Sequence, residues 1–113
     1  MTRARQSLGR AGEAAVARWY LDRGYRIIEQ NWRTSRGELD LLVSDGRVLV
    51  VCEVKTRTSD RFGSGFEAVT LAKQDRIRML TRRYLAEHRW PGPVRFDVAS
   101  VVSGRIDVLL DAF

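Results

Sequence analysis

The chain has 113 residues, 44% of them hydrophobic and 30% charged, which suits one compact core and excludes a disordered or collagen-like chain. Twenty Lys and Arg against fourteen Asp and Glu leave a net charge of +6, which favours an anionic partner such as nucleic acid. A lone cysteine, Cys52, and a lone histidine, His88, exclude an intrachain disulfide, Cys-based zinc sites and His-dependent triads; carboxylates, hydroxyls, Lys, Arg and hard metal ions held by oxygen remain. No stretch is long and apolar enough to cross a bilayer, and residues 1–8 lack the apolar core of a secretory signal, so a cytoplasmic protein with no membrane partner is expected.

Ala11, Ala15 and Trp19, with Ala14, Arg18 and Leu21, recur at helical spacing and predict a helix over residues 9–23 stopped by Gly24. The run 25–33 (YRIIEQNWR) predicts a first strand, closed by the turn cluster Thr34, Ser35, Arg36 and Gly37. Residues 38–44 and 47–56 flank Asp45-Gly46, a strong hairpin signal, and predict two more strands. Residues 57–65 (RTSDRFGSG) read as a loop. Val69, Ala72, Arg76 and Leu80, with Ile77 and Tyr84, then predict a second helix to about His88, ended by the WPGP run at 90–93. Residues 94–102 and 105–110 predict the last strands. The expected fold class is α/β, a mixed β-sheet flanked by helices in the order αβββαββ, as a single domain over 1–113 with residues 1–8 its candidate for disorder.

If Asp45-Gly46 is a two-residue turn, opposed residues sum to 91, so Glu38 faces Glu53 and Asp40 faces Val51. One face then carries Leu39, Leu41, Val43, Val48, Val50, Cys52 and Val54; the other carries Glu38, Asp40, Leu42, Leu49, Val51, Glu53 and Lys55. Apolar residues on both faces imply cover from both sides, with carboxylates and an ammonium gathered at one end of a buried sheet. Asp40 and Glu53 are diagonal neighbours in this register, with β-carbons about 7 to 8 Å apart, and can converge on one small cation. A divalent ion there offsets their repulsion and polarises a phosphoryl oxygen, while Lys55 orients the attacking water. Glu38 fits a residue supporting the metal ligands, a ligand itself or a solvated strand end. Eighteen of the twenty basic residues are Arg, so the two lysines, Lys55 and Lys73, stand out; either chance or a need for a compact ammonium accounts for Lys55.

Asp40, twelve intervening residues and Glu53-Val54-Lys55 resemble the D...(D/E)xK signature of restriction-endonuclease-like nucleases, whose core runs αβββαβ. Residues 9–13 (GRAGE), 31–33, Gly37-Glu38-Leu39-Asp40, Glu53-Val54-Lys55 with Arg57, Phe62-Gly63, Lys73 and Arg95-Phe96-Asp97 are together similar to the YraN family of uncharacterised bacterial proteins. The resemblance runs from about residue 9 to residue 102. It implies a restriction-endonuclease-like core in which Asp40 and Glu53 bind Mg²⁺ or Mn²⁺, the Val54 carbonyl adds a ligand and Lys55 assists the water. Leu39 stands where many members of the wider superfamily have proline. Glu13 looks like the extra acidic residue, catalytic and metal-binding, of archaeal-type Holliday junction resolvases; its other reading is a carboxylate favoured by the helix dipole.

Lys73 and Arg76 on the second helix fit either a phosphate-contacting pair or a solvated face. Arg36, Arg57 and Arg61 flank the charged end of the sheet and are candidates to hold a nucleic-acid backbone. Asp97 is expected to pair with an arginine, Trp19, Trp32 and Trp90 to pack, His88 to sit at a helix end and Cys52 to be inert packing. The expected activity is metal-dependent endonucleolytic hydrolysis of DNA, on branched or structured substrates, with RNA also open and a homodimer needed for symmetric cutting of two strands. The alternative is a non-catalytic nucleic-acid-binding or assembly module that keeps a nuclease fold.

Overall fold

The structure, a computed structural model, describes residues 3–59 and 69–113. Helix α1 spans Arg3–Leu21. It starts six residues before the expected position 9, because the segment ahead of Gly9 contains good helix formers and no proline. Part of the 1–8 segment offered as a candidate for disorder is therefore helical. Gly24, at φ 87°, takes the left-handed conformation that ends the helix as expected. Strands β1 (Arg26–Thr34), β2 (Gly37–Ser44) and β3 (Leu49–Arg57) follow, then helix α2 (Leu71–Glu87) and strands β4 (Val94–Val102) and β5 (Arg105–Leu109). The loop expected over 57–65 lies mostly outside the described residues, and with it Arg61 and Phe62-Gly63. The side chain of Thr70 caps α2 by accepting from the Lys73 N–H, and His88 is its C-cap.

The five strands form one sheet in chain order, antiparallel except for β3 and β4, which run parallel across the α2 crossover. Val16, Ala17 and Tyr20 of α1 pack on Leu41, Val43, Val50, Cys52 and Val54; Ile77, Leu80 and Tyr84 of α2 pack on Leu42, Leu49, Val51 and Val98. Each face of the sheet is covered by a helix, which explains why β2 and β3 are apolar on both sides. This is the expected α/β arrangement, a mixed sheet flanked by helices in the order αβββαββ. Gly12 lets α1 lie close on β3, since a β-carbon there would overlap the Thr56 hydroxyl. No helix among the described residues is long and apolar enough to cross a membrane.

Two expectations about the hairpin are corrected. Paired residues sum to 93 rather than 91: Leu41 pairs with Cys52, Leu42 with Val51, Val43 with Val50 and Ser44 with Leu49. Asp45 Oδ1 accepts from the N–H groups of Arg47 (2.9 Å) and Val48 (3.0 Å), and Ser44 Oγ accepts from Gly46 N–H (3.0 Å), so residues 45–48 form a four-residue turn. The shift of two keeps every side chain of β3 on its expected face, and extending the register one step past the last pair, Leu41 with Cys52, puts Asp40, not Glu38, level with Glu53. Leu39 also changes sides, packing with Leu42 and Leu80 instead of Leu41. The alternation breaks at Asp40, whose partner across β1, Asn31, has a left-handed φ of 51°.

Asp97 is structural, as expected. It is fully buried, takes a two-pronged contact from Arg95 (2.9 Å to each carboxylate oxygen), and accepts from Tyr20 Oη at 2.6 Å and the Asp111 N–H at 2.9 Å. Cys52 is buried in the α1-side core, and burial raises its thiol well above the usual range. Trp19 packs against the α1-side cluster, and Trp32 and Trp90 against the α2-side cluster.

Candidate active site

At the end of the hairpin away from the turn, the backbone pairing of β2 with β3 stops at Leu41 and Cys52. One residue on, the Val54 N–H donates to Asp40 Oδ2 at 2.9 Å, so the Asp40 side chain takes up a backbone donor of β3. Asp40 is only 9% exposed. Here a cavity of about 400 Å³ is lined by Glu13 from α1, Glu38 and Asp40 from β2, Glu53, Val54 and Lys55 from β3, and Lys73 and Arg76 from α2, with Ile77 and Leu80 behind.

Burial pushes the Asp40 carboxyl up to about 6, reinforced by Glu13 and Glu38 and opposed by the Val54 N–H and Lys55. Burial also pushes Glu53 up, to about 8, and the adjacent Asp40 pushes the same way against the pull of Lys55 and Lys73. Glu53 Oε2 is buried without a hydrogen-bond partner among the described residues. Lys73 is held below its ordinary value first by the neighbouring Lys55. The only two lysines of an arginine-rich chain thus meet in one cavity. Two carboxylates this close, one of them buried and the other with an unpartnered buried oxygen, are costly when both are charged, and either a proton or a cation relieves the cost.

Of the residues singled out in the sequence, Glu13, Glu38, Asp40, Glu53, Lys55, Lys73 and Arg76 share this cavity. Glu38 also pairs with Arg33 at 3.1 Å on the exposed rim. Arg36 sits in the exposed turn between β1 and β2, and Arg57 at the half-buried end of β3; neither lines the cavity. Arg61 lies outside the described residues. Among the described residues, no group of three or more His, Cys, Asp and Glu is disposed to hold a metal ion. The arrangement offers two converging carboxylates, and Mg²⁺ and Mn²⁺ fit such an oxygen set because Mg²⁺ is commonly held by one or two carboxylates and several waters. Arg10 and Asn31, which carried part of the family resemblance without a site role, and Gln30, which the sequence did not single out, line a second, smaller cavity against Asp40. Asn31 carried one signal, since asparagine tolerates the left-handed conformation better than other side chains do.

Fold and site together define a three-layer α/β chain with a carboxylate pair and two lysines at one end of its sheet. The family model described as uncharacterised protein family UPF0102 matches residues 12–101, and the chain belongs to that family, the one the YraN resemblance names. A UPF0102 protein of Frankia alni is 52% identical over 100 residues, covering 88% of this chain and 83% of the relative. One from Beutenbergia cavernae is 46% identical over 104 residues (91% and 88%), and one from Thermodesulfovibrio yellowstonii 38% identical over 110 residues (97% and 98%).

Proposed function

We propose that the chain is a cytoplasmic, metal-dependent endonuclease that hydrolyses phosphodiester bonds in DNA. The observation that carries this reading is the pairing of buried Asp40 with half-buried Glu53, both raised in proton affinity, facing Lys55 and Lys73 in a cavity open to solvent. Such a pair, set against basic residues, combines a cation site with a phosphate site.

Asp40 and Glu53 would hold Mg²⁺ or Mn²⁺, with Glu13 facing the ion from α1 and the Val54 carbonyl as a further ligand. When bound, the ion supplies polarisation of the phosphoryl oxygen and a lowered pKa for a bound water. Lys55 orients the attacking water and stabilises negative charge as it develops on the phosphorus oxygens. Lys73 and Arg76, projecting from α2 across the same cavity, hold phosphate oxygens and so fix the strand in line with that water. Hydrolysis forms one P–O bond to the water oxygen, whose proton passes to solvent, and breaks the ester P–O bond, whose leaving oxygen takes a proton from solvent.

Cleavage of labelled single-stranded, duplex, flapped and four-way-junction DNA, with Mg²⁺, Mn²⁺ or EDTA, tests the reading directly. The expected result is cutting that needs the metal and is lost in both Lys55→Ala and Glu53→Ala, which also excludes a contaminating nuclease. Binding without cutting by any form would replace the proposal with a non-catalytic nucleic-acid-binding module.

A further inference from the structure

We infer that Asp40 is shared by two subsites, and that the smaller one, lined by Arg10, Gln30 and Asn31, holds the phosphodiester next to the one bound in the main cavity. The inference rests on the reading of the main cavity as a nucleic-acid site. The smaller cavity, about 170 Å³, lies between α1 and β1 and shares Glu13 and Asp40 with the larger one. The two spaces therefore meet at the carboxylates, one on the α2 side of the hairpin and the other on the α1 side.

The cause is local. Asn31 stands opposite Asp40 with φ 51°, the alternation of β2 breaks there, and Asp40 is left between the two faces of the sheet instead of belonging to one. Asparagine tolerates that conformation better than other residues with a β-carbon, and left-handed residues of this kind recur at binding and active sites. Neither Gln30 nor Asn31 makes a side-chain hydrogen bond among the described residues, and Arg10 makes no ion pair there. Arg10 and Gln30 are exposed and Asn31 half-buried, so one guanidinium and two amides are accessible to a nucleotide unit: Arg10 for the phosphate, the amides for sugar and base edges.

Glu13 and Asp40 repel a lone anion in this cavity, so free phosphate is not the ligand. A strand already gripped by Lys55, Lys73 and Arg76 presents its next phosphate to Arg10 at high effective concentration, and that linkage overcomes the repulsion. The strand then bends over the rim of the hairpin at Asp40 and passes from one face of the sheet to the other.

The test measures binding, not cutting, in Asp40→Asn, which relieves the repulsion and keeps an oxygen acceptor for the Val54 N–H. Fluorescence anisotropy of a labelled 20-nucleotide single strand is followed across a salt series in EDTA, with Arg10→Ala, Gln30→Ala and Lys73→Ala each added to that background. Arg10 is exposed on α1, and unchanged circular dichroism and Tm confirm that its removal leaves the fold intact. The expected result for Arg10→Ala is affinity about tenfold weaker and a slope of log K against log salt reduced by about 0.7, the value of one single-strand phosphate contact. A dinucleotide with a single phosphate is expected to bind the background and Arg10→Ala equally. If Arg10→Ala matches its background in affinity and slope while Lys73→Ala weakens binding, the second subsite is wrong and the main cavity stands. If no form binds the strand, the reading of the main cavity falls and the inference with it.

Discussion

Glu53 is a carboxyl group that water would hydrate better than the protein does. Its native proton affinity, about 8 against an ordinary 4.5, means that between those values the folded chain binds more protons than the unfolded chain. Stability contributed by this group is therefore complete below about pH 4.5 and is lost as pH rises toward 8; Asp40, raised from 3.8 to about 6, acts in the same sense over a lower window. In EDTA, the wild-type urea midpoint is expected to fall between pH 5 and pH 8, and Glu53→Gln to remove much of that fall. The substitution then stabilises the chain at pH 8 by on the order of 2 kcal/mol. A midpoint that rises with pH in the wild type, or a Glu53→Gln variant that is less stable at pH 8, contradicts this.

Between elements, the close seat of α1 on β3 depends on Gly12. Gly12→Ala drives a methyl group into the Thr56 hydroxyl and is expected to cost about 1–3 kcal/mol, read as a lowered Tm, with Thr56→Gly restoring part of it. The element order and the faces of β3 were legible in the sequence because a side-chain period of two survives a register shift of two. The register itself was not, because the side chains of Asp45 and Ser44 recruit backbone donors and lengthen the turn. Nor was the crossing of Leu39, which accompanies a left-handed residue, Asn31, on the neighbouring strand. The grouping of Asp40, Glu53 and Lys55 was visible from strand spacing alone. The arrival of Lys73 and Arg76 depends on how α2 docks, and that is set by Ile77, Leu80 and Tyr84.

For the molecule as a whole, a net charge of +6 and a cavity with basic residues on one wall lead to the expectation, on the proposed function, that phosphate contacts supply most of the affinity. Binding to DNA is expected to weaken by more than tenfold between 50 and 200 mM salt, about what three or more phosphate contacts would produce, measured by anisotropy. A salt-independent interaction would point to a protein partner instead. The same view explains the position of the site: α1 and the β2–β3 hairpin supply all the carboxylates, and the helix that crosses from β3 to β4 supplies the opposing wall.

That division runs along the chain as well as through space. Every acidic residue of the cavity, together with Lys55, lies between positions 13 and 55, while Lys73 and Arg76 lie beyond the segment 60–68. On the proposed function, chemistry and grip are thus written in separate stretches of one gene. Inherited changes in α2 would then alter which nucleic-acid shapes are held, while the stretch that would carry out the hydrolysis passes on unchanged.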